Sequence, residues 1–142
     1  MRRALDEAAA ATAAGEVPVG AVVARGDAVI AVGRNRMRAD ADPTAHAEIV
    51  ALRAAAAALG SERLDDCDLW VTLEPCAMCA GAMALARVRR LYFAAPDSKG
   101  GAVVNGPRLF GQPTCHHAPD VYGGIGEDEA AALLREFFRA RR

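Results

Sequence analysis

Two short segments of the sequence combine side chains that bind metals with side chains that move protons. His46 and Glu48 stand two residues apart within PTAHAE, and Cys76 and Cys79 form a C-x-x-C pair directly after Pro75. Both segments are expected in the first turn of a helix, where exposed N–H groups stabilise thiolates. One imidazole nitrogen and two sulfurs suit a tetrahedral zinc ion whose fourth position stays free for water. The spacing therefore predicts a catalytic zinc centre held by His46, Cys76 and Cys79.

Glu48 indicates the chemistry that such a centre would carry out. It lies close to the predicted ligand His46 in the sequence, but it is not needed to complete the ligand set of the metal. A carboxylate in this position can accept a proton from the water that zinc activates at neutral pH, and can return it to the substrate. The expected reaction is the attack of water on an amidine-like ring carbon, with release of ammonia.

Two blander interpretations of the same residues stay open. His46, Cys76 and Cys79 could form a closed structural zinc site, or the cysteines could be buried and unreactive. A closed site needs a fourth protein ligand, for which the sequence offers Cys67, Cys115, His116 and His117. Structural sites usually combine two closely spaced pairs, whereas here one pair meets an isolated histidine. Glu48, taken alone, would be an ordinary acidic residue at the start of a helix.

The composition places these residues in a folded protein. The chain has 142 residues, of which 53% are hydrophobic and 25% charged, with a net charge of −1. These values predict one domain over residues 1–142 and exclude a disordered chain. No apolar run reaches the ~20 residues of a membrane helix, and Asp6 and Glu7 interrupt the segment where a secretion signal would lie. We therefore expect a cytoplasmic protein whose four cysteines serve a metal or catalysis rather than disulfides.

The hydrophobic patterning predicts an α/β fold around the two segments. Helices are expected over residues 2–14, 43–59, 77–86 and 127–142. Strands are expected over residues 17–24, 28–32, 69–73 and 90–95. The first two strands flank Gly26 and Asp27, which are typical of a hairpin turn, and residues 96–126 are predicted to be mostly loop. Strands that alternate with helices, together with an antiparallel hairpin, indicate a layered domain around a mixed sheet.

The combination of H-x-E with P-C-x-x-C is the known signature of zinc nucleobase deaminases. Within that cytidine and deoxycytidylate deaminase superfamily, the chain closely resembles the bacterial tRNA-specific adenosine deaminases. The resemblance extends over nearly the whole chain, through Asn35 and residues 16–21 (EVPVGA), 42–48 (DPTAHAE), 71–83 (VTLEPCAMCAGAM), 97–99 (DSK) and 137–142 (FFRARR). Residues 111–124 depart from the family pattern, so no RNA contact is assigned to Cys115, His116 or His117.

This resemblance implies a fold, an activity and a set of partners. The fold would be cytidine-deaminase-like, with three α/β/α layers and a mixed central sheet. The activity would be the hydrolytic conversion of adenosine to inosine at the wobble position of a tRNA anticodon loop, by a homodimer with one Zn²⁺ per subunit. Glu48 would transfer protons during attack on C6 of the adenine, after the base has turned out of its stack. The implied substrate contacts are Asn35, Asp97, Lys99, Arg141 and Arg142.

Other interpretations of the substrate contacts and of the activity also stay open. Asn35 could be a turn residue, Asp97 and Lys99 could lie in a solvated loop, and the terminal arginines could simply complement a helix dipole. A deaminase of free bases or nucleosides, such as guanine, cytosine or cytidine, could use the same zinc site without those arginines. A non-catalytic, zinc-stabilised binding module is the more distant alternative, and it would tolerate the loss of Glu48.

Overall fold

A mixed five-stranded sheet with helices on both faces organises the fold. The computed structural model describes all of residues 1–142. The helices are α1 (Arg2–Ala13), α2 (Ala47–Leu59), α3 (Ala77–Ala86) and α4 (Glu127–Arg139). The strands are β1 (Gly20–Arg25), β2 (Ala28–Arg34), β3 (Asp68–Leu73), β4 (Arg90–Ala95) and β5 (Asp120–Gly123), and a 3₁₀ turn spans Leu109–Gly111. The α/β class predicted from the sequence is confirmed.

The strand order of the sheet is β2-β1-β3-β4-β5. Strand β1 is antiparallel to both β2 and β3, and the predicted hairpin turns at Gly26, whose φ is +59°. Strands β3, β4 and β5 are parallel to one another. Because parallel strands end at the same edge of a sheet, the C-x-x-C segment after β3 and the loop after β4 leave the sheet side by side.

Helices α1 and α4 pack on one face of the sheet, and α2 and α3 pack on the other. Two glycines in the hairpin allow the closest of these approaches. A Cβ atom on Gly20 would collide with the backbone of α1 at Ala4, and one on Gly33 would collide with the backbone of α2 at Ala47. The hairpin therefore carries a helix directly against each of its faces, and α2 is the helix that follows His46.

The main core lies between the sheet and the layer formed by α2 and α3. It contains 19 buried residues, and alternate positions such as Leu69, Val71 and Leu91 point into it from the strands. A smaller cluster joins α1, β4 and α4 through Leu5, Ala94, Ala95 and Ala130. None of the helices has the length and apolarity that crossing a lipid bilayer requires.

The structure differs from the sequence-based expectation in four places. Strand β1 begins at Gly20 rather than at residue 17. Helix α2 begins at Ala47 rather than at residue 43, because the Asp42 carboxylate accepts hydrogen bonds from the N–H and hydroxyl of Thr44 and holds a turn there. The predicted loop of residues 96–126 contains the short strand β5 and the 3₁₀ turn. Helix α4 ends at Arg139, so the last two arginines lie beyond it.

Candidate metal centre and its surroundings

His46, Cys76 and Cys79 converge from the N-terminal ends of two helices. His46 immediately precedes α2 and Cys76 immediately precedes α3, both in extended backbone conformations, while Cys79 lies in the first turn of α3. The Nδ1 atom of His46 is 3.6 Å from the Sγ atom of each cysteine. The donor atoms of all three residues lie within 4.8 Å of one another, and no fourth His, Cys, Asp or Glu joins them. The structure thus brings together the three predicted ligands.

The separation of these donor atoms fits a tetrahedral zinc ion. Zinc binds imidazole nitrogen at about 2.05 Å and sulfur at about 2.3 Å, so a tetrahedral angle places nitrogen and sulfur about 3.6 Å apart. The two observed nitrogen–sulfur distances have this value. One nitrogen and two sulfurs with no fourth protein ligand is also the donor set of sites that keep a position open for chemistry. These residues therefore fit zinc without any rearrangement of the backbone.

The two sulfurs differ in the protonation that their surroundings favour. A hydrogen bond from the Cys79 thiol lowers the pKa of Cys76 to about 5. The same interaction, together with burial, raises the pKa of Cys79. A bound divalent cation supplies the positive charge that allows both sulfurs to be thiolates, because metal binding displaces the thiol protons.

Glu48 lies beside the metal group without belonging to it. Its side chain is on the first turn of α2 and is only 4% exposed to solvent. Burial raises the pKa of Glu48 to about 7, against an ordinary value of 4.5. A carboxyl group with a pKa near neutrality can both accept and donate a proton under physiological conditions. Its burial and its raised pKa are compatible with the role expected from the sequence.

Asn35 connects the end of β2 to the start of α2. Its Oδ1 accepts a hydrogen bond from the N–H of Ala47 at 2.8 Å, and its Nδ2 donates to the carbonyl of Val17 at 3.1 Å. Asn35 is buried, so these contacts are shielded from water. One N–H of the carboxamide is left for another acceptor, which is compatible with the expected contact to a base. The structure thus gives Asn35 a structural role that the sequence did not predict.

Glu74 is a buried carboxylate that the sequence-based interpretation missed. It follows β3 directly and accepts five hydrogen bonds, all from residues 97–105. Burial alone would raise the pKa of Glu74, but hydrogen bonds from Asp97, Asn105 and Val103 outweigh it and hold the pKa below its ordinary value. The only signal in the sequence is its place between an apolar strand and the C-x-x-C segment, which does not distinguish it from a solvated loop residue.

Four of the five expected substrate contacts line a single cleft. Asp97, Lys99, Arg141 and Arg142 surround a cleft of about 880 Å³. Arg141 is oriented by the Phe137 ring, with the guanidinium carbon 3.5 Å from the ring centre. The fifth residue, Asn35, is connected to the cleft through Val17, which also lines it. If Asp97 and Lys99 were only solvated loop residues and the arginines only complemented a helix dipole, there would be no reason for them to line the same cleft.

Comparison with known proteins identifies the family. The model of the MafB19-like deaminases matches residues 1–142. The chain belongs to this family. A tRNA-specific adenosine deaminase of Agrobacterium fabrum is 58% identical over 142 residues, which cover 100% of the chain and 93% of that relative.

Solved structures of deaminases share the fold of this MafB19-like deaminase. One, from a study of A-to-I editing by tRNA:A34 deaminases at the wobble position of transfer RNA, has a TM-score of 0.93 and 57% identity, over 94% of this chain and 97% of that chain. A guanine deaminase from Nitrosomonas europaea has a TM-score of 0.78 and 31% identity, over 96% and 81% of the two chains. The cytidine-deaminase-like fold and the family resemblance expected from the sequence are therefore confirmed.

The other cysteines and histidines of this MafB19-like deaminase do not complete a closed metal site. The buried Cys67 thiol donates to the Asp66 carboxylate at 3.6 Å, and burial raises its pKa to about 11. The Cys115 thiol donates to the carbonyl of His117 at 3.1 Å, and Nε2 of His117 donates to the carbonyl of Val88 at 2.7 Å. The His117 contact holds the loop of residues 112–118 against the segment between α3 and β4, and none of these side chains belongs to the metal group.

An apolar surface is exposed along α3. Leu85 is 83% exposed and Met78 is 36% exposed, although both are large hydrophobic residues. Together with Gly81 and Ala82 they line a cleft of about 600 Å³, which we call the α3 surface. The loop of residues 112–117 forms its far side. Contiguous exposed apolar surface of this kind usually marks a site of protein–protein contact.

Proposed function

We propose that this protein is a zinc-dependent deaminase that converts adenosine to inosine at the wobble position of a tRNA anticodon loop. The observation that carries the proposal is the group of His46, Cys76 and Cys79 at two helix ends, with the buried Glu48 beside it but outside the donor set. The name of the Agrobacterium relative and the study of tRNA:A34 deaminases supply the substrate. Residues 1–142 would form one deaminase domain, which acts where tRNA is found, in the cytoplasm.

In this proposal His46 Nδ1 and the sulfurs of Cys76 and Cys79 hold the zinc ion. When bound, the ion supplies the positive charge that makes a water molecule acidic near neutral pH. Glu48 accepts a proton from the attacking water on a carboxylate oxygen. It would deliver this proton to the ring nitrogen, and would then take the proton of the new C6 hydroxyl group and pass it to the departing amino group, so that inosine and ammonia are formed. Its raised pKa, about 7, suits both directions of transfer.

The proposed RNA contacts combine a buried amide with an exposed basic cleft. The free N–H of Asn35 would hydrogen-bond the extruded base. Lys99, Arg141 and Arg142 would contact phosphates, and Asp97 would accept a hydrogen bond from a sugar hydroxyl group. Turning a base out of its stack costs a few kcal/mol, and contacts to flanking nucleotides can offset that cost. A free nucleoside has no flanking nucleotides or phosphates to contact, so the proposal predicts a strong preference for the folded RNA.

We also propose that the active form is a homodimer that uses the α3 surface. Leu85 and Met78 expose apolar area that a second copy could bury. The surface lies on the helix that carries Cys79. Contact between two copies there would fix the helix that supplies two of the metal ligands.

The substrate can be tested directly with the purified, zinc-loaded protein. An anticodon stem-loop with adenosine at the wobble position would be incubated in parallel with free adenosine, cytidine and guanine. The proposal predicts inosine in the stem-loop and little turnover of the free compounds. Turnover of guanine in place of the stem-loop would instead support the activity of the Nitrosomonas relative on the same metal site.

The role of Glu48 has its own test. Glu48→Ala should retain one zinc ion per chain but lose about 10²–10⁴-fold in kcat, which is the usual contribution of a general acid and base. Zinc content by mass spectrometry and inosine formation by nuclease digestion would be measured on the same sample. A Glu48→Ala protein with normal turnover would refute the mechanism.

A further inference from the structure

The loop of residues 97–105 is built around the carboxylate of Glu74. Oε2 accepts hydrogen bonds from the N–H groups of Val103, Val104 and Asn105 at 3.0–3.1 Å. Oε1 accepts the N–H of Asp97 at 3.0 Å and the side-chain amide of Asn105 at 2.7 Å. Glu74 is only 2% exposed and forms no ion pair with an arginine or lysine. Oriented N–H groups of the loop therefore stabilise this buried negative charge.

The loop approaches the carboxylate so closely that only glycine fits at one position. A Cβ atom on Gly101 would lie 2.5 Å from Oε2 of Glu74 and 2.5 Å from the carbonyl oxygen of Asp97. The next residue, Ala102, donates its N–H to the carbonyl of Pro75 at 2.9 Å, which adds a backbone contact beside the carboxylate. The path of the loop is thus determined by Glu74 and its neighbour Pro75, and it has little freedom to change.

Two expected substrate contacts lie at the start of this loop. The Asp97 carboxylate turns the chain by accepting the N–H groups of Lys99 and Gly100 at 3.0 Å. Asp97 and Lys99 both line the cleft that also contains Arg141, whereas Glu74 does not line it. Glu74 therefore does not touch the cleft itself, and the loop that it holds connects it to Asp97 and Lys99.

We propose that Glu74 is a positioning residue, which presets the loop of residues 97–105 in the shape that binds the nucleotides flanking the target adenosine. This inference rests on the proposed activity on tRNA. Glu74 orders the loop in the free protein. The binding of RNA therefore does not have to supply the free energy needed to order Asp97 and Lys99. Its substitution should accordingly weaken binding of the RNA while leaving the chemical step at the metal intact.

The first test is Glu74→Gln, which keeps the size of the side chain. One oxygen becomes an NH₂ group that faces N–H donors, so at least two of the five hydrogen bonds are lost. We expect KM for the anticodon stem-loop to rise about tenfold, with kcat within about twofold of wild type and zinc content unchanged. A loss confined to kcat, or a loss of zinc, would show that Glu74 acts on the metal centre and would overturn the proposal.

A double-mutant cycle with Lys99→Ala separates positioning from a general loss of stability. If Glu74 acts through the loop, Lys99→Ala should raise KM much less in Glu74→Gln than in the wild type. Glu16→Gln is the matched control, since Glu16 is equally buried and its Oε1 accepts the backbone N–H groups of Arg38 and Ala39 in a different loop. Lys99→Ala should have its full effect in that background. Equal effects in all three backgrounds would overturn the proposal.

Gly101→Ala tests the same inference from the loop side if Glu74→Gln does not fold. The added methyl group must displace the loop from the carboxylate, so KM for the stem-loop should rise while zinc content stays the same. An unchanged KM in a folded Gly101→Ala protein would refute the positioning role. The wild-type arm tests the underlying activity separately. A wild type that forms no inosine in the stem-loop would overturn both the proposed function and this inference.

Discussion

The carboxamide of Asn35 joins three parts of the chain that meet near the metal group. Asn35 directly follows the last residue of β2. Its side chain accepts a hydrogen bond from the N–H of Ala47, the first residue of α2, and donates one to the carbonyl of Val17. His46 and Glu48 flank Ala47, so the same hydrogen bond fixes the backbone between a proposed ligand and the proposed proton carrier. Asn35, which was expected from the sequence to contact the substrate, therefore stabilises the backbone that carries His46 and Glu48.

Removal of this carboxamide should reduce stability as well as activity. Asn35→Ala leaves the buried N–H of Ala47 without a partner, whereas the carbonyl of Val17 keeps the N–H of Val19 at 2.8 Å. An unsatisfied group of this kind costs about 1–3 kcal/mol, so we expect the free energy of unfolding in urea to fall by about 1–3 kcal/mol. Thr12→Ala, at an exposed position in α1, serves as the control and should change it by less than about 0.5 kcal/mol. An Asn35→Ala protein as stable as this control would contradict the assignment.

The sequence allowed the prediction of those site residues whose function depends on residue type and on spacing along the chain. His46, Glu48, Cys76 and Cys79 could be selected because metal ligands and a neighbouring acid form a recognisable pattern. Glu74 could not, since a glutamate before a proline gives no sign of burial. Its role depends on a loop that begins more than twenty residues later and returns to it only in the folded chain.

Helices and strands with a strong local sequence pattern were predicted well. Very short strands, and helix ends that are set by a side-chain hydrogen bond, were not. Strand β4 has the predicted bounds, because RLYFAA is a compact apolar run between polar segments. Strand β5 was missed because its four residues include a glycine and pair with the sheet on one side only. The start of α2 was placed too early because the Asp42 turn opposes the helix preference of the residues that follow.

The close approach of β2 to α2 makes the metal site sensitive to a glycine far from it in sequence. Gly33→Ala places a methyl group against the backbone of α2 at Ala47 and Ala51, and overpacking of this kind costs about 1–3 kcal/mol. Because His46 precedes that helix, we also expect the zinc dissociation constant to rise about tenfold, as for loss of a supporting contact. Competition with a chromogenic chelator would measure it.

Gly20→Ala provides the matched control for this prediction. Gly20 approaches the backbone of α1 as closely as Gly33 approaches α2, but α1 carries no residue of the site. The two variants should lose similar stability in urea, and only Gly33→Ala should bind zinc more weakly. Equal zinc affinities in the two variants would mean that the position of α2 does not control the centre.

The whole molecule has almost no net charge, yet its basic groups are unevenly placed. Lys99, Arg141 and Arg142 line one cleft, while the total charge is −1. These three cations attract a phosphate backbone only at short range, since charges separated by more than about 8 Å are largely screened at physiological ionic strength. Recognition of RNA would thus depend on fit at the cleft rather than on long-range attraction, which agrees with a substrate of defined shape.

The α3 surface gives the proposed dimer a direct test. A stable dimer buries roughly 1,200 Å² or more in total, and a charged side chain at its centre disfavours association. We expect the wild type to sediment at twice the 14.8 kDa of one chain and Leu85→Asp to sediment as a folded monomer. Val29→Asp, which replaces an exposed hydrophobic residue of β2 instead, should remain dimeric. A dimer that survives Leu85→Asp would place the interface elsewhere, and a monomeric wild type would refute the dimer altogether.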